Sequence, residues 1–231
     1  MNENNRYEIK FILNESELTE AIYFLKMIGS FSPYPSRSIN SLYFDTIDFQ
    51  GVRDNLAGIS QRHKVRLRWY DENEIDSFKP PVLEIKKRNG RLGSKYKYII
   101  PDINKEQILG KEVNLLCNDI FNYIHRNYEY DQLLNDQYIP MLFVNYDREY
   151  YETMRGLRIT IDKKIAFRNI TFNDPIKYCN PIPYNEYIME LKFPIEMKDE
   201  VSDIIRYLNL TPKRHSKYLA GMSKLGYAVY I

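Results

Sequence analysis

Residues 63–70, HKVRLRWY, alternate so strictly that a strand here sets Val65, Leu67 and Trp69 on one face and Lys64, Arg66, Arg68 and Tyr70 on the other. Same-face neighbours on a strand stand roughly 7 Å apart, so three cations in a row repel one another unless anions lie among them. Two explanations compete: a solvated sheet face, or a site for something highly anionic. The pattern recurs along the chain. RYEIKFIL puts Tyr7, Ile9 and Phe11 opposite Arg6, Glu8 and Lys10, and VLEIKKR, KYKYIIP, MLFVNYDREYYE, GLRITIDKKIAF and NEYIMELKF again carry charge on alternate residues.

Between these strands the spacing turns helical. Asn14 precedes a helix expected over about 15–28, with Leu18, Ile22 and Leu25 on one face and Gly29 at its end. INSLYFDT reads as a strand and FQGVRDNLAG as a short helix or turn. From 104 to about 135, Val113, Leu116, Ile120, Phe121 and Ile124 cover one helical face. KDEVSDIIRYLNL is expected to be an amphipathic helix ending near Pro212, and RHSKYLAGMSKLG a last short helix. The acidic DENEID segment reads as a solvated loop, and GRLGSK lacks the spacing of a phosphate loop and fits a hairpin turn. With helices segregated from antiparallel strands, the expected class is α+β, and 231 residues suit one domain over 1–231.

With 33 Lys plus Arg against 31 Asp plus Glu, the net charge of +2 excludes a bulk polycation, so any anion site comes from local segregation and nucleic acid is not an expected partner. Two cysteines and three histidines make neither a disulfide framework nor a metal cluster by spacing, which points to a reducing cytoplasm. No apolar run approaches the roughly 18 residues of a membrane span, and no secretory leader is seen.

If the strands close into a barrel, alternate residues point into a lumen where cations could cage a chain of phosphates, arginine through paired planar donors and lysine through compact charge. Glu190, with Asp162 or Glu84, could then hold a hard divalent cation; Glu84 and Asp162 read equally as salt-bridge partners of the cations. His215 reads as a capping or surface residue and Trp69 as core.

RYEIKF, SLYFDT, KVRLRWY, LEIKKR, KYK, NYDREYYE, LRITID, MELKF and KRHSKYLAG, in this order and over nearly the whole chain, resemble the polyphosphate polymerase domain of the vacuolar transporter chaperone (VTC) family. That family lies within the triphosphate tunnel metalloenzyme, or CYTH-like, superfamily. The resemblance implies an antiparallel β-barrel tunnel with flanking helices, in which ATP or another nucleoside triphosphate binds with Mn²⁺ or Mg²⁺. It implies transfer of the γ-phosphate to a growing polyphosphate chain. Arg66, Arg68, Lys86, Arg148 and Arg158 would be the catalytic cations, with Lys10, Lys97, Tyr146, Arg214, Ser216 and Lys217 binding phosphate and Glu190 holding the metal. The hydrolytic branches open with Glu-x-Glu-x-Lys, whereas Arg6, Glu8 and Lys10 stand here, which favours the polymerase over a triphosphatase. A metal-dependent triphosphatase and a non-catalytic polyphosphate-binding module stay open as alternatives. A cytoplasmic enzyme, compatible with docking to a membrane partner, is the expectation.

Overall fold

The computed structural model describes residues 6–71, 79–90, 92–128 and 138–229. Among them the chain forms nine strands and six α-helices in an α+β arrangement. In chain order these are β1 (Arg6–Leu13), α1 (Glu15–Met27), β2 (Arg37–Asp45), α2 (Gln50–Leu56), β3 (Gln61–Asp71), β4 (Val82–Asn89), β5 (Leu92–Ile99), α3 (Lys105–Gly110) and α4 (Val113–Asn127). They continue with β6 (Ile139–Glu152), β7 (Arg158–Asn169), β8 (Pro181–Tyr184), β9 (Tyr187–Pro194), α5 (Lys198–Ile205) and α6 (Lys217–Lys224). The acidic loop at 72–78 and the part of the expected helical insert beyond 128 lie outside the described residues. Hydrogen bonding links the strands of this antiparallel sheet in the order β1-β9-β7-β6-β2-β3-β4-β5, with β8 beside β7. Among the described residues no helix is long and apolar enough to cross a membrane.

The chain divides into two compact units. The first comprises the described residues up to Ser38, with Tyr146–Ile165 and Pro183–Ser216. Its helix α1 starts at a capping box: the Asn14 side chain accepts from the Glu17 amide at 2.9 Å, and the Glu17 carboxylate accepts from the Asn14 amide at 2.8 Å. Such a cap contributes on the order of 1 kcal/mol. The buried face of α1, Leu18, Ala21, Phe24 and Leu25, packs in one core with Phe11 and Leu13 of β1, Ile159 and Ile161 of β7 and Met189 and Leu191 of β9. The apolar alternation of each strand thus turns inward, and the charged alternation is left on the opposite face.

The second unit comprises Ile39–Asn145, Ala166–Ile182 and the described residues from Lys217 onward. Val65, Leu67 and Trp69 of β3 are buried as their alternation requires, in a core with Leu83 and Ile85 of β4 and Val113, Leu116, Ile120 and Ile124 of α4. The helical insert is two helices, parted where Lys111 takes an extended conformation. The short-helix option for FQGVRDNLAG is the one observed, as α2. KDEVSDIIRYLNL forms the shorter α5, ending at Ile205, well before Pro212. The strand β8, PIPY, is hidden in the sequence by its two prolines, residues that ordinarily speak against a strand and are tolerated at sheet margins.

Candidate active site

In the first unit, strand pairing builds rows of charge. The antiparallel register of β1, β9 and β7 sets Lys10 opposite Glu190 and Glu190 opposite Thr160; the adjacent row is Glu8, Lys192 and Arg158. Lys10 Nζ lies 2.7 Å from Glu8 and 3.7 Å from Glu190, and Lys192 pairs closely with Glu190 and stands 3.9 Å from Glu8. Lys10 also donates to the His215 carbonyl at 3.2 Å, tying the approach to α6 onto β1. Burial by itself would raise the Glu190 carboxyl, but Lys10, Lys192 and Arg148 outweigh it and hold it at about 2. Glu8 is lowered too: burial and Glu190 push it up, and Lys10 and Lys192 prevail.

The same unit holds Arg148 and Asp162. The guanidinium makes two parallel hydrogen bonds to the fully buried carboxylate, at 2.6 and 2.8 Å, and lies 5.4 Å from the centroid of the buried Tyr146 ring. Burial works against the Arg148 charge, yet Tyr146, Asp162 and Glu190 raise its pKa above the ordinary arginine value. Arg158 differs: it is 60% exposed and 3.7 Å from Glu152.

The second unit holds the other cations. Register across β3, β4 and β5 gives the row Arg66, Glu84, Lys97 beside the row Lys64, Lys86, Lys95. Nε and Nη2 of Arg66 both donate to Oε2 of Glu84, at 2.8 and 2.6 Å, while Lys95 pairs with Oε1. Burial would raise Glu84, but Arg66 and Lys95 hold it down at about 2. Arg68 is buried, with Nε donating to Ser41 Oγ at 3.1 Å. Lys86 and Lys97 are exposed.

The closing motif spans both units. Arg214 is exposed and Ser216 partly buried, both just ahead of α6 in the first unit, whereas Lys217 opens α6 in the second. His215 is buried, its ring stacked on Tyr184 with centroids 5.8 Å apart, so it is not a surface residue. The Cys117 thiol is buried and pushed up to about 12, far from nucleophilic character.

Sequence reasoning placed Glu8, Lys95 and Lys192 on charged faces without assigning them a site role, and it passed over Tyr43. The signal for these three was the antiparallel register: once RYEIKF pairs with MELKF, Glu8 and Lys10 must face Lys192 and Glu190, and once LEIKKR pairs with KYKYI, Lys95 falls opposite Lys86, next to Glu84. No sequence pattern marked Tyr43.

A hard divalent cation prefers oxygen donors. Glu8 and Glu190 share Lys10 and Lys192 as counter-ions, and the Thr160 hydroxyl, opposite Glu190 in the register, is buried with no hydrogen-bond partner. These oxygens are of the donor type such an ion takes. Among the described residues no group of three acidic, histidine or cysteine side chains forms a cage by itself. Both oxygens of Asp162 are taken by Arg148, and those of Glu84 by Arg66 and Lys95.

Compared with protein families, residues 5–226 match the VTC domain. The chain belongs to the VTC domain family. No curated protein matches it significantly. Among solved structures, this VTC domain is similar to a protein from Pyrococcus horikoshii OT3, with 13% identity, 94% of this chain and 99% of that chain covered, and a TM-score of 0.52. It is similar to a putative adenylyl cyclase from Hippeastrum described as having dominant triphosphatase activity, with 16% identity, 96% of each chain covered and a TM-score of 0.51. A putative adenylate cyclase from Vibrio parahaemolyticus gives 10% identity, 94% and 97% coverage and a TM-score of 0.50. At these identities the likeness establishes the fold alone, one consistent with the triphosphate tunnel proteins, although among the described residues the sheet does not close into the expected barrel.

Proposed function

We propose that this VTC domain is a phosphotransferase of the polyphosphate polymerase type. It takes the γ-phosphoryl group of ATP or another nucleoside triphosphate and adds it to the end of a polyphosphate chain. The observation that carries this reading is that each unit buries a glutamate, Glu190 in the first and Glu84 in the second, held ionised by several cations around it. Such sites suit a ligand with charge on every oxygen, and phosphoryl transfer needs alignment and charge neutralisation more than covalent help.

In the step proposed, a terminal polyphosphate oxygen attacks Pγ and forms the new P–O bond. The bond from Pγ to the β,γ-bridging oxygen breaks, and ADP leaves with the electron pair. The attacking oxygen is already ionised, so no side chain has to take a proton. In the first unit Lys10, Tyr146, Arg148 and Arg158, with Arg214 and Ser216, are assigned to phosphate oxygens. In the second, Arg66, Arg68, Lys86, Lys97 and Lys217 have that role. Glu190 and Glu8 would hold Mn²⁺ or Mg²⁺, which supplies Lewis-acid neutralisation of phosphate charge when bound. Asp162 and Glu84, whose oxygens are engaged by arginine and lysine, are assigned as counter-ions. We place the reaction in the cytoplasm, a setting that suits two free cysteines, and regard a membrane protein as a candidate recipient of the product.

A second reading is favoured by the activity described for the Hippeastrum neighbour: hydrolysis of a triphosphate by the same residues. The two are separated by ³¹P NMR of the purified protein with ATP and Mn²⁺, chelated before acquisition. Growth of internal-phosphate signal with ADP supports the polymerase. Orthophosphate alone replaces it with the hydrolase, and intact ATP despite binding removes both.

A further inference from the structure

The Glu84 contact leaves Arg66 incompletely fixed. Both of its hydrogen bonds to Glu84 end on the single oxygen Oε2, so the guanidinium can pivot about that atom, unlike a fork whose two prongs meet two oxygens. A further anchor is Tyr43, whose hydroxyl accepts from Nη1 of Arg66 at 3.2 Å while the guanidinium carbon lies 5.9 Å from the ring centroid. Tyr43 is itself held. Its ring stacks on Tyr218, with centroids 5.1 Å apart and planes 20° off parallel. The Tyr218 hydroxyl donates to Oδ2 of Asp45 at 2.5 Å. Asp45 is immobilised in turn by the amides of Thr46 and Gly51, each 2.8 Å from Oδ1, and of Val52, 3.1 Å from Oδ2. Tyr43, Tyr218 and Asp45 are all buried, whereas the Arg66 side chain keeps 25% of its surface open. A rigid buried series thus ends on a cation that faces outward.

We propose that Tyr43, backed by Tyr218 and Asp45, is a positioning residue that fixes the plane of the Arg66 guanidinium for a phosphate chain. This rests on the assignment of Arg66 as a phosphate-gripping residue. A guanidinium fixed in advance loses less conformational freedom on binding, and that difference appears as affinity. Tyr43 also supplies a readout that simple packing would not. Burial raises its phenol, but Arg66, Arg68 and Lys64 of β3 outweigh that and bring it down to about 8; Tyr218 of α6 is stacked on it with Asp45 behind, and His63 and Tyr138 line the same small cavity. As pH rises through that value, the phenolate takes up charge that Arg66 would otherwise offer to phosphate.

The test is calorimetric binding of tripolyphosphate, without divalent metal, to the full chain and its Arg66→Ala, Tyr43→Phe and Tyr218→Phe variants between pH 7 and 9. Arg66→Ala is expected to weaken binding at least tenfold. Tyr43→Phe keeps the stacked ring and removes only the acceptor; it should weaken binding about threefold to tenfold at pH 7, the scale of one net hydrogen bond. The native chain is expected to lose affinity above pH 8, and Tyr43→Phe should abolish that loss. Tyr218→Phe should act in the same direction, about twofold to threefold, as expected of a hydrogen bond one step removed. If Arg66→Ala weakens binding while Tyr43→Phe and Tyr218→Phe match the native affinity and pH response, the positioning role is overturned and the assignment of Arg66 stands. If Arg66→Ala binds like the native chain, that assignment falls and the inference with it.

Discussion

Arg148 and Asp162 meet prong to prong, Nε on Oδ1 at 2.6 Å and Nη2 on Oδ2 at 2.8 Å, with the carboxylate fully buried. Removing one partner of a buried pair leaves an uncompensated charge and costs about 3–5 kcal/mol, more than the pair itself contributes. Asp162→Ala is therefore expected to lower unfolding free energy by about that amount in urea titrations. A loss under about 1 kcal/mol, the range of a surface pair, would show that the carboxylate does not compensate Arg148.

Metal binding separates Glu190 from the other carboxylates. Glu190→Gln keeps the side-chain shape and removes the charge, so Mn²⁺ affinity in the presence of tripolyphosphate, followed by EPR of the free ion, should fall at least about tenfold. Glu8→Gln should weaken it less, because Glu8 is 35% exposed against 8% for Glu190. Asp162→Asn should leave the Mn²⁺ isotherm in place, both oxygens of Asp162 being committed to Arg148. Unchanged Mn²⁺ binding in Glu190→Gln would remove this residue as a ligand.

Acid should expose the cost of keeping buried carboxylates ionised. Glu84 and Glu190 are each held at about 2, below the ordinary 4.5 of the unfolded side chain. A carboxylate whose folded pKa is depressed contributes stability that is complete above the unfolded pKa and lost as pH falls through the folded one. The melting temperature should thus decline between about pH 5 and pH 2, and Glu84→Gln should flatten that decline while lowering the plateau near neutrality. A native profile with the same slope as Glu84→Gln would contradict the depressed pKa.

Much of the fold was legible because alternation survives context. Val65, Leu67 and Trp69 are buried as the pattern in β3 demands, and Asn14 caps α1 through the box with Glu17. The charged faces were legible as faces, but the pairing among their charges was not, since it depends on register. Nothing in RYEIKF alone says that Lys10 meets Glu190, or that Glu8 shares its lysines. Tyr43 was invisible for another reason. From Ile39 to Asp45 every residue of β2 is buried, so the strand lacks the alternation that would mark one side as polar, and its hydroxyl looks like core filling. His215 failed similarly: a lone histidine beside a serine and a lysine gives no sign that its ring will stack on Tyr184.

Gly221 links packing in α6 to the phosphate-binding role proposed for the second unit. Replacing a helical glycine with alanine ordinarily stabilises a helix by up to about 1 kcal/mol. In α6, however, a Cβ at this position would stand 2.9 Å from Cδ1 of Phe167 and closer still to Cδ2 of Leu142, two side chains with no exposed surface. Both neighbours are enclosed by the core, so overpacking of about 1–3 kcal/mol should exceed the propensity gain. Gly221→Ala is expected to be net destabilising by about 1–2 kcal/mol in urea titrations. Because α6 also carries Tyr218, its displacement should loosen the Tyr43 anchor, so tripolyphosphate affinity should fall together with stability. A stabilised Gly221→Ala variant would mean that the helix relaxes away from Leu142 at little cost. A destabilised variant with native affinity would mean that α6 and the Arg66 guanidinium are not mechanically connected.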